Sequence, residues 1–337
     1  EFADLNVDFD VLRKLPVCLR EYDWKVTVTV LTVMLNHNGY KSETQRIINV
    51  EGGDTRHVLY AVALDLGTTT VCAQLLDLNR GQSIADTIVF NLCESLPGLV
   101  CSERRVVEII EYCGFTYTGN SPQVIDLSYD KQKVKKVLSS LGIRVPDGTV
   151  LTPDEASEWT LFPAIVKPSR EHCSLTITEK SVVFDTSSLR QQILLVNNEL
   201  KQPAMVEDFI DGRELHVSVW NNDQPEMLPP AEMDFSAFHE PRERLCTYDS
   251  KFIPGSEHYE KIVTLVPAPL DEKQLKNLEK SVIAAWKGFG CLDYARFDYR
   301  LRDDKFYLLD INPNNDISIE TSFAIAAEMQ NYSYSQM

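Results

Sequence analysis

What this chain lacks narrows its function before any motif is read. Among its 337 residues, 33 lysines and arginines face 50 aspartates and glutamates, a formal net charge of -17. No basic stripe is present, so the counterion-releasing contact that holds a phosphate backbone is missing, and nucleic acids and anionic membranes are poor partners. Long hydrophobic runs are missing too. The most apolar stretch, Val26 to Leu35, alternates threonine with aliphatic residues. It spans about half of the roughly 20 residues a membrane helix requires, so it reads as a strand. No charged segment followed by an apolar one opens the chain, and a cytoplasmic protein is expected. The first residue is Glu1 and not Met, which hints at a partial reading frame or a trimmed chain.

Cysteine pairs are absent as well. Cys18, Cys72, Cys93, Cys101, Cys113, Cys173, Cys246 and Cys291 form no C-x-x-C motif and no close Cys/His group of the kind that holds zinc. Scattered single cysteines are expected as buried thiols in a reducing compartment. No internal repeat or low-complexity tract divides the chain. With 44% hydrophobic residues it can bury two or three globular units.

Residues 1 to about 83 read as β-rich. Lys25 to Thr32 alternates in period two, Arg46 to Val50 and Val58 to Leu66 follow as strands, and Gly52-Gly53-Asp54 breaks between them as a turn. Ala61 to Leu78 reads as two apolar strands joined by the small turn Gly67-Thr-Thr-Thr70, a hairpin with a candidate phosphate loop. Beyond Gly81 the pattern changes to alternating strands and helices. Helices are expected at Arg104 to Cys113, at Asp130 to Leu141 with Gly142 as its stop, at Ser188 to Leu200 and at Asp271 to Gly288. Strands are expected at Thr87 to Asn91, Ala164 to Lys167, Ala204 to Glu207, Leu215 to Trp220, Tyr294 to Leu301 and Lys305 to Ile311.

The chemistry gathers towards the C-terminus. Arg296-Phe-Asp298 lies on one strand and Asp310-Ile-Asn312 on the next, and because side chains alternate faces, Arg296 shares a face with Asp298 and Asp310 with Asn312. Three oxygen-bearing side chains beside an arginine suit magnesium, which prefers hard oxygen ligands. An ordinary hairpin with solvent-facing polar residues fits the same letters, since Asp-x-Asn-Pro is good turn chemistry. Upstream, Lys131 opens a helix, Lys167 ends a strand and Lys251 lies in a loop; each alone reads as a solvated lysine. Val206-Glu207-Asp-Phe-Ile210-Asp-Gly-Arg-Glu214 gives a strand edge, a connector and a second strand. Such an edge can read adenine through backbone groups while a carboxylate holds ribose hydroxyls; a charged turn between strands is equally consistent.

Taken in order, Tyr117-Thr-Gly-Asn120, Asp130-Lys131, Phe162-Pro-Ala-Ile-Val-Lys167-Pro168, Val206 to Glu214, Tyr248-Asp-Ser-Lys251, Arg296-Phe-Asp298 and Asp310-Ile-Asn312-Pro313 resemble the ATP-grasp fold and, within it, its D-alanine-D-alanine ligase-like branch, over residues 86 to 337. The resemblance implies an α/β (α+β) protein. Two α+β subdomains would clasp ATP across residues 128 to 337, and residues 84 to 127 would form a truncated substrate domain. It implies that Lys131 and Lys167 contact the ATP phosphates, that Glu207 and the Ile210 backbone bind adenine, and that Glu214 binds ribose. Lys251 would approach the γ-phosphate, and Asp298, Asp310 and Asn312 would hold Mg²⁺. Arg296 would steady an acyl phosphate formed from a small amino-acid or peptide-like substrate, and a homodimer is the assembly it admits. The chain departs from the pattern in three places. The loop that closes over ATP is Ser169-Arg-Glu-His172-Cys173-Ser174-Leu-Thr176, without the usual glycines, and Ser174 alone keeps a role. Pro313-Asn-Asn-Asp-Ile-Ser318 replaces the ligases' turn for the second amino acid, and the substrate domain is cut to about 40 residues, with Asn91-Leu-Cys-Glu94 as a remnant.

The first 83 residues, through Val11-Leu-Arg-Lys-Leu-Pro16, Asp23-Trp-Lys-Val-Thr-Val-Thr29 and Asp65-Leu-Gly-Thr-Thr-Thr70, resemble corrinoid-protein reductive activators, ATPases of the actin and sugar-kinase superfamily. There Asp65 and Gly67 to Thr70 would face phosphates, but the second phosphate loop, the adenosine loop and the iron-sulfur cysteines are missing, so a fragment is expected. Three functions stay open: an ATP-dependent carboxylate-amine ligase, a catalytically impaired nucleotide-binding fusion protein, and an accessory protein of corrinoid activation.

Overall fold

The computed structural model describes the strand backbones of residues 5–7, 26–37, 40–52, 60–66, 70–77 and 82–83, together with residues 88–93, 101–170, 177–334 and 336–337. The chain divides into two compact units, 1–67 with 71–88, and 68–70 with 89–337. In the first unit, strands β1 (Leu5–Val7), β2 (Val26–His37) and β3 (Tyr40–Gly52) form one sheet. In it β1 runs parallel to β3, and β2 runs antiparallel to β3 with a register shift between Thr29 and Val30. The threonine-aliphatic alternation therefore extends further than its letters suggest. Strands β4 (Tyr60–Leu66) and β5 (Thr70–Asp77) make the expected hairpin, and β6 (Gln82–Ser83) adds to β5. Gly53, Asp54 and the Gly67-Thr68-Thr69 turn lie outside the described residues.

The second unit opens with β7 (Ile88–Asn91), helix α1 (Glu103–Tyr112) and β8 (Thr116–Tyr117). Helix α2 (Pro122–Tyr129) is started by Ser121, whose hydroxyl accepts from the Val124 N–H, and α3 (Lys131–Ser140) by Asp130, whose carboxylate accepts from the Lys133 N–H. A four-stranded antiparallel sheet follows, built from β9 (Gly148–Leu151), β10 (Ala164–Pro168), β11 (Val182–Val183) and β12 (Ala204–Asp208) in the order β11-β10-β12-β9. Helix α4 (Thr186–Glu199) covers one face, packing Leu189, Ile193 and Val196 onto Ala164, Val166, Ala204 and Val206. Alternation then turns Ile165, Lys167, Met205 and Glu207 to the other face.

A second sheet holds β13 (Arg213–Asn222), β14 (Gln224–Met227), β15 (Ala231–Asp234), β16 (Val263–Leu265), β17 (Tyr294–Arg302) and β18 (Lys305–Asn312), in the order β16-β15-β13-β17-β18 with β14 beside β13. Two short helices, α5 (Tyr248–Phe252) and α6 (Glu257–Lys261), cross between its strands, and α8 (Ser322–Met329) closes the chain. The long helix α7 (Glu272–Phe289) carries Leu278, Val282, Ala285, Trp286 and Phe289 at helical spacing onto Leu215, Val217, Val219, Ala295, Phe297, Tyr299 and Leu301. It is capped by Asp271 and ended by Gly290 in the left-handed conformation.

Two expectations are corrected. Lys251 sits on the short helix α5 and not in a loop, because the Thr247 hydroxyl accepts from the Ser250 N–H and starts a helical turn. Cys101 and Cys113 are exposed and not buried, whereas Cys93 and Cys291 are buried as expected.

Gly212, in the connection from β12 to β13, has no room for a side chain: an added Cβ would lie 2.2 Å from the Leu301 carbonyl oxygen. Gly212→Ala is expected to cost about 1–3 kcal/mol in urea denaturation, and an unchanged midpoint would show that this backbone yields freely.

Candidate active site

The site follows from the alternation of three neighbouring strands. Across β13, β17 and β18, Ser218 pairs with Arg296 and Arg296 with Asn312; His216 pairs with Asp298 and Asp298 with Asp310; Glu214 pairs with Arg300 and Arg300 with Tyr307. Directly paired residues share a face, so these polar groups form a small lattice on the side of the sheet away from α7. The intervening residues, Leu215, Val217, Phe297, Tyr299, Phe306, Leu308 and Ile311, fill the core. A register shift makes this consistent. Tyr299 pairs with Leu308 but Asp298 pairs with Asp310, so Leu309 is an extra residue. Before it the even-numbered residues of β18 face the core; after it Asp310 and Asn312 turn to the polar face.

Ion pairs bind the lattice together. Arg296 Nε and Nη2 donate to the two carboxylate oxygens of Asp298 at 2.7 and 3.0 Å, and Asn312 Nδ2 donates to the same carboxylate at 3.1 Å. Arg300, 2% exposed, donates to Glu214 Oε2 from Nε at 3.0 Å and from Nη2 at 2.7 Å. Its Nη1 donates to the Ile210 carbonyl at 3.0 Å, and Nη2 also donates to the Arg244 carbonyl. His216 Nε2 lies 3.5 Å from Glu214 Oε1 and 3.9 Å from Asp298 Oδ1.

The opposing sheet contributes a second charged cluster. Glu207, 1% exposed, lies between Lys167, whose Nζ is 2.9 Å from Oε2, and Lys135, whose Nζ is 3.0 Å from Oε1. Lys135 also donates to the Pro146 carbonyl at 2.7 Å. One turn earlier on α3, Lys131 reaches Asp310 Oδ2 at 3.3 Å. Helix α3 therefore tethers both sheets through two lysines four residues apart, which share one helix face.

Burial raises the cost of each carboxylate's charge, yet the cations outweigh it. Burial pushes Glu207 up, but Lys135 and Lys167 bring it down to about 2. Burial pushes Asp298 up, but Arg296 and His216 bring it down to about 2. Glu214 is likewise held well below the carboxylate range, by Arg300 and His216 against burial. Desolvation lowers the Lys135 ammonium despite Glu207, whereas at Lys167 the attraction of Glu207 prevails over burial and raises it.

The cleft between the sheets, about 90 Å³, is lined by Lys167, Glu207, Ile210, Glu214, Lys251, Asp298 and Asp310, among others. The structure thus brings Lys131, Lys167, Glu207, Ile210, Glu214, Lys251, Arg296, Asp298, Asp310 and Asn312 to one region; Ser174 lies outside the described residues. The donor set of Asp298, Asp310 and Asn312 fits a hard cation: three oxygen-bearing side chains converge on one face, with two carboxylates directly opposite each other. Asn91 and Cys93 of the expected remnant are buried beside the turn after β18, where Asn314 Nδ2 donates to the Cys93 carbonyl at 2.8 Å. Asn120 serves the scaffold. Its Nδ2 donates to the Tyr294 and Pro313 carbonyls at 2.7 and 2.6 Å, and its Oδ1 accepts from the Leu292 N–H at 2.8 Å. Sequence reasoning missed Lys135, His216, Arg300 and Cys246. The first three repeat at i+4 from Lys131 and i+2 from Glu214 and Asp298, a signal that was there to read; Cys246 had none.

Residues 144–337 match the family model described as the D-ala D-ala ligase C-terminus, residues 1–57 the RACo linker region, and residues 60–98 the RACo middle region. The chain is similar to the uncharacterized protein y4sG of Sinorhizobium fredii, 29% identical over 255 residues, which cover 74% of this chain and 72% of that one. It is 28% identical over 227 residues to the D-alanine–D-alanine ligase of Pseudothermotoga lettingae, covering 67% and 70%. The crystal structure of D-alanine–D-alanine ligase from Bacillus anthracis complexed with ATP superposes with a TM-score of 0.54 at 21% identity, covering 68% of this chain and 70% of that chain. The second unit therefore has the ATP-grasp fold.

The low carboxylate values set a pH window. Both groups are ionised in the folded protein below their ordinary values of 4.5 for Glu207 and 3.8 for Asp298, so the stability they contribute is complete above those values and is lost as pH falls towards 2. Denaturation midpoints are expected to drop between pH 4.5 and 2. Glu207→Ala, which leaves two largely covered lysines without this counter-charge, should cost up to about 3–5 kcal/mol at neutral pH and flatten part of that drop; an unchanged pH profile would refute the assignment.

Proposed function

The chain belongs to the family of the D-ala D-ala ligase C-terminus, and from that membership we propose that it is an ATP-dependent ligase joining a carboxylate to an amine. One observation carries the reading. The cleft abuts a second pocket of about 330 Å³, and the two share His216 and Lys251. The second pocket is lined by Glu103, Arg296, Asn312, Asn315, Asp316 and Glu320, groups suited to a small zwitterion and not to an apolar ligand.

In this reading Glu207 and the Ile210 backbone meet adenine, Glu214 meets ribose, and Lys131 and Lys167 meet the phosphates. The cleft's free volume is below the about 300 Å³ at which small-molecule sites begin, so the nucleotide enters as the two sheets part. The Lys131–Asp310 and Lys135–Glu207 pairs are the ties that then rearrange. A substrate carboxylate oxygen, held by Arg296, attacks the γ-phosphorus as the bond to ADP breaks, and an acyl phosphate forms. The amine then attacks the acyl carbon, phosphate leaves and the amine proton is released. Lys251, at the junction of the pockets, faces the transferred group. Asp298, Asp310 and Asn312 would hold Mg²⁺, which neutralises phosphate charge when bound. Positioning and electrostatic stabilisation supply most of the rate in such a transfer. Residues 84–127 act as a shortened substrate domain.

A second reading, a nucleotide-binding fusion without turnover, is favoured by the sequence from Ser169 to Thr176, which has no glycine, and by the shortened substrate domain, whereas the RACo matches at residues 1–57 and 60–98 fit an accessory protein of corrinoid activation. ADP release decides between ligase and fusion: release that requires both a carboxylate and an amine supports the ligase, no release under any condition supports the fusion without turnover, and release with neither substrate sinks the ligase. Asp310→Ala is expected to abolish magnesium-dependent binding of a non-hydrolysable ATP analogue in calorimetry, and unchanged affinity would reject the metal assignment.

A further inference from the structure

Two side chains in the cleft, the imidazole of His216 and the thiol of Cys246, are of a different chemical kind from the oxygen ligands beside them. Glu214, His216 and Cys246 each offer one ligand atom, and these atoms all lie within 4.8 Å of one another, the one such group among the described residues. The separation of 3.5 Å between His216 Nε2 and Glu214 Oε1 matches an edge of a tetrahedral site with zinc bonds of about 2.0–2.3 Å. Arg300 holds Glu214 through Oε2 only, which leaves Oε1 turned to His216 and fixes the carboxylate from behind, as outer partners of metal ligands commonly do. The neighbouring Asp298 is engaged by Arg296 and Asn312. Both Glu214 and His216 come from one face of β13, so the strand itself sets their spacing.

We propose that Glu214, His216 and Cys246 form a site for a zinc-class divalent ion, adjacent to the magnesium ligands and different from them in chemistry. A nitrogen, a thiolate and one carboxylate oxygen suit a borderline-soft ion and not magnesium, which takes hard oxygen. On binding, the Cys246 thiol gives up its proton to solvent and the sulfur becomes a ligand. Three protein ligands leave a fourth position, and because all three line the cleft, that position opens into it. The ion would occupy Glu214 and so compete with nucleotide; this consequence rests on the proposed ribose role of Glu214, whereas the metal site does not.

The test is titration of the metal-free full chain with Co²⁺ as a spectroscopic stand-in. One equivalent should give the visible absorption of tetrahedral cobalt and a thiolate-to-cobalt charge-transfer band, both displaced by Zn²⁺ and unaffected by excess Mg²⁺. Cys246→Ser should lose the charge-transfer band, and His216→Gln should bind at least tenfold more weakly. No charge-transfer band, or one that persists in Cys246→Ser, overturns the proposal. Should Cys246→Ser fail to fold, the wild-type chain is alkylated with and without Zn²⁺ and mapped by mass spectrometry: protection at Cys246 supports the site, and equal labelling overturns it. A cobalt band in a chain that binds no ATP analogue upholds the metal site while removing the ligase reading.

Discussion

The extra residue at Leu309 is the constraint on which the site depends. A strand paired without it would carry the even-numbered positions of β18 to one face throughout, and Asp310 and Asn312 would enter the core behind Phe306 and Leu308. Two polar groups would then be buried against α7 without partners, a cost of several kcal/mol by ordinary desolvation. The bulge reverses the phase after Leu308, so the apolar Ile311 takes the core position and the carboxylate meets Asp298 across the ladder. Core packing and the polar lattice are two consequences of one irregularity.

Charge balance is the second constraint. Glu207, Glu214 and Asp298 are buried or nearly so, and each is matched by cations: Glu207 by Lys135 of α3 and Lys167 of β10, Glu214 by Arg300 of the neighbouring strand β17, and Asp298 by Arg296 two residues away on its own strand. A buried ion pair is weak evidence for stability, but removal of one member leaves the other uncompensated. Three of these pairs lie within one sheet; the sheets are joined through α3, by Lys135 to Glu207 and by Lys131 to Asp310. Asn120 performs the neutral counterpart, clamping the start of β17 to the turn after β18 through the Tyr294 and Pro313 carbonyls.

Residues 1–57 and 60–98 match the RACo linker and middle regions, and residues 144–337 match a ligase C-terminus. The groups with chemistry lie in the second unit, where the cleft and the neighbouring pocket share His216 and Lys251. A fold alone does not specify a reaction; the side chains of that site do.

Local sequence determined much of this architecture. The alternation in Arg296 to Arg302, the capping letters at Asp130 and Asp271 and the helical spacing of α7 identify their elements, because these signals act over one or two turns of chain. The ordered run of motifs from Tyr117 to Pro313 also carried the ATP-grasp reading. The tertiary structure alone decided which charges meet. Glu207 lies between Lys135 and Lys167, and Glu214 faces Arg300, 86 residues away. Cys246 joins Glu214 and His216 although no local Cys/His spacing announces it. Periodicity reports the face on which a side chain lies; which distant face opposes it, and whether a bulge has shifted the phase, is set by the pairing of strands far apart in the chain.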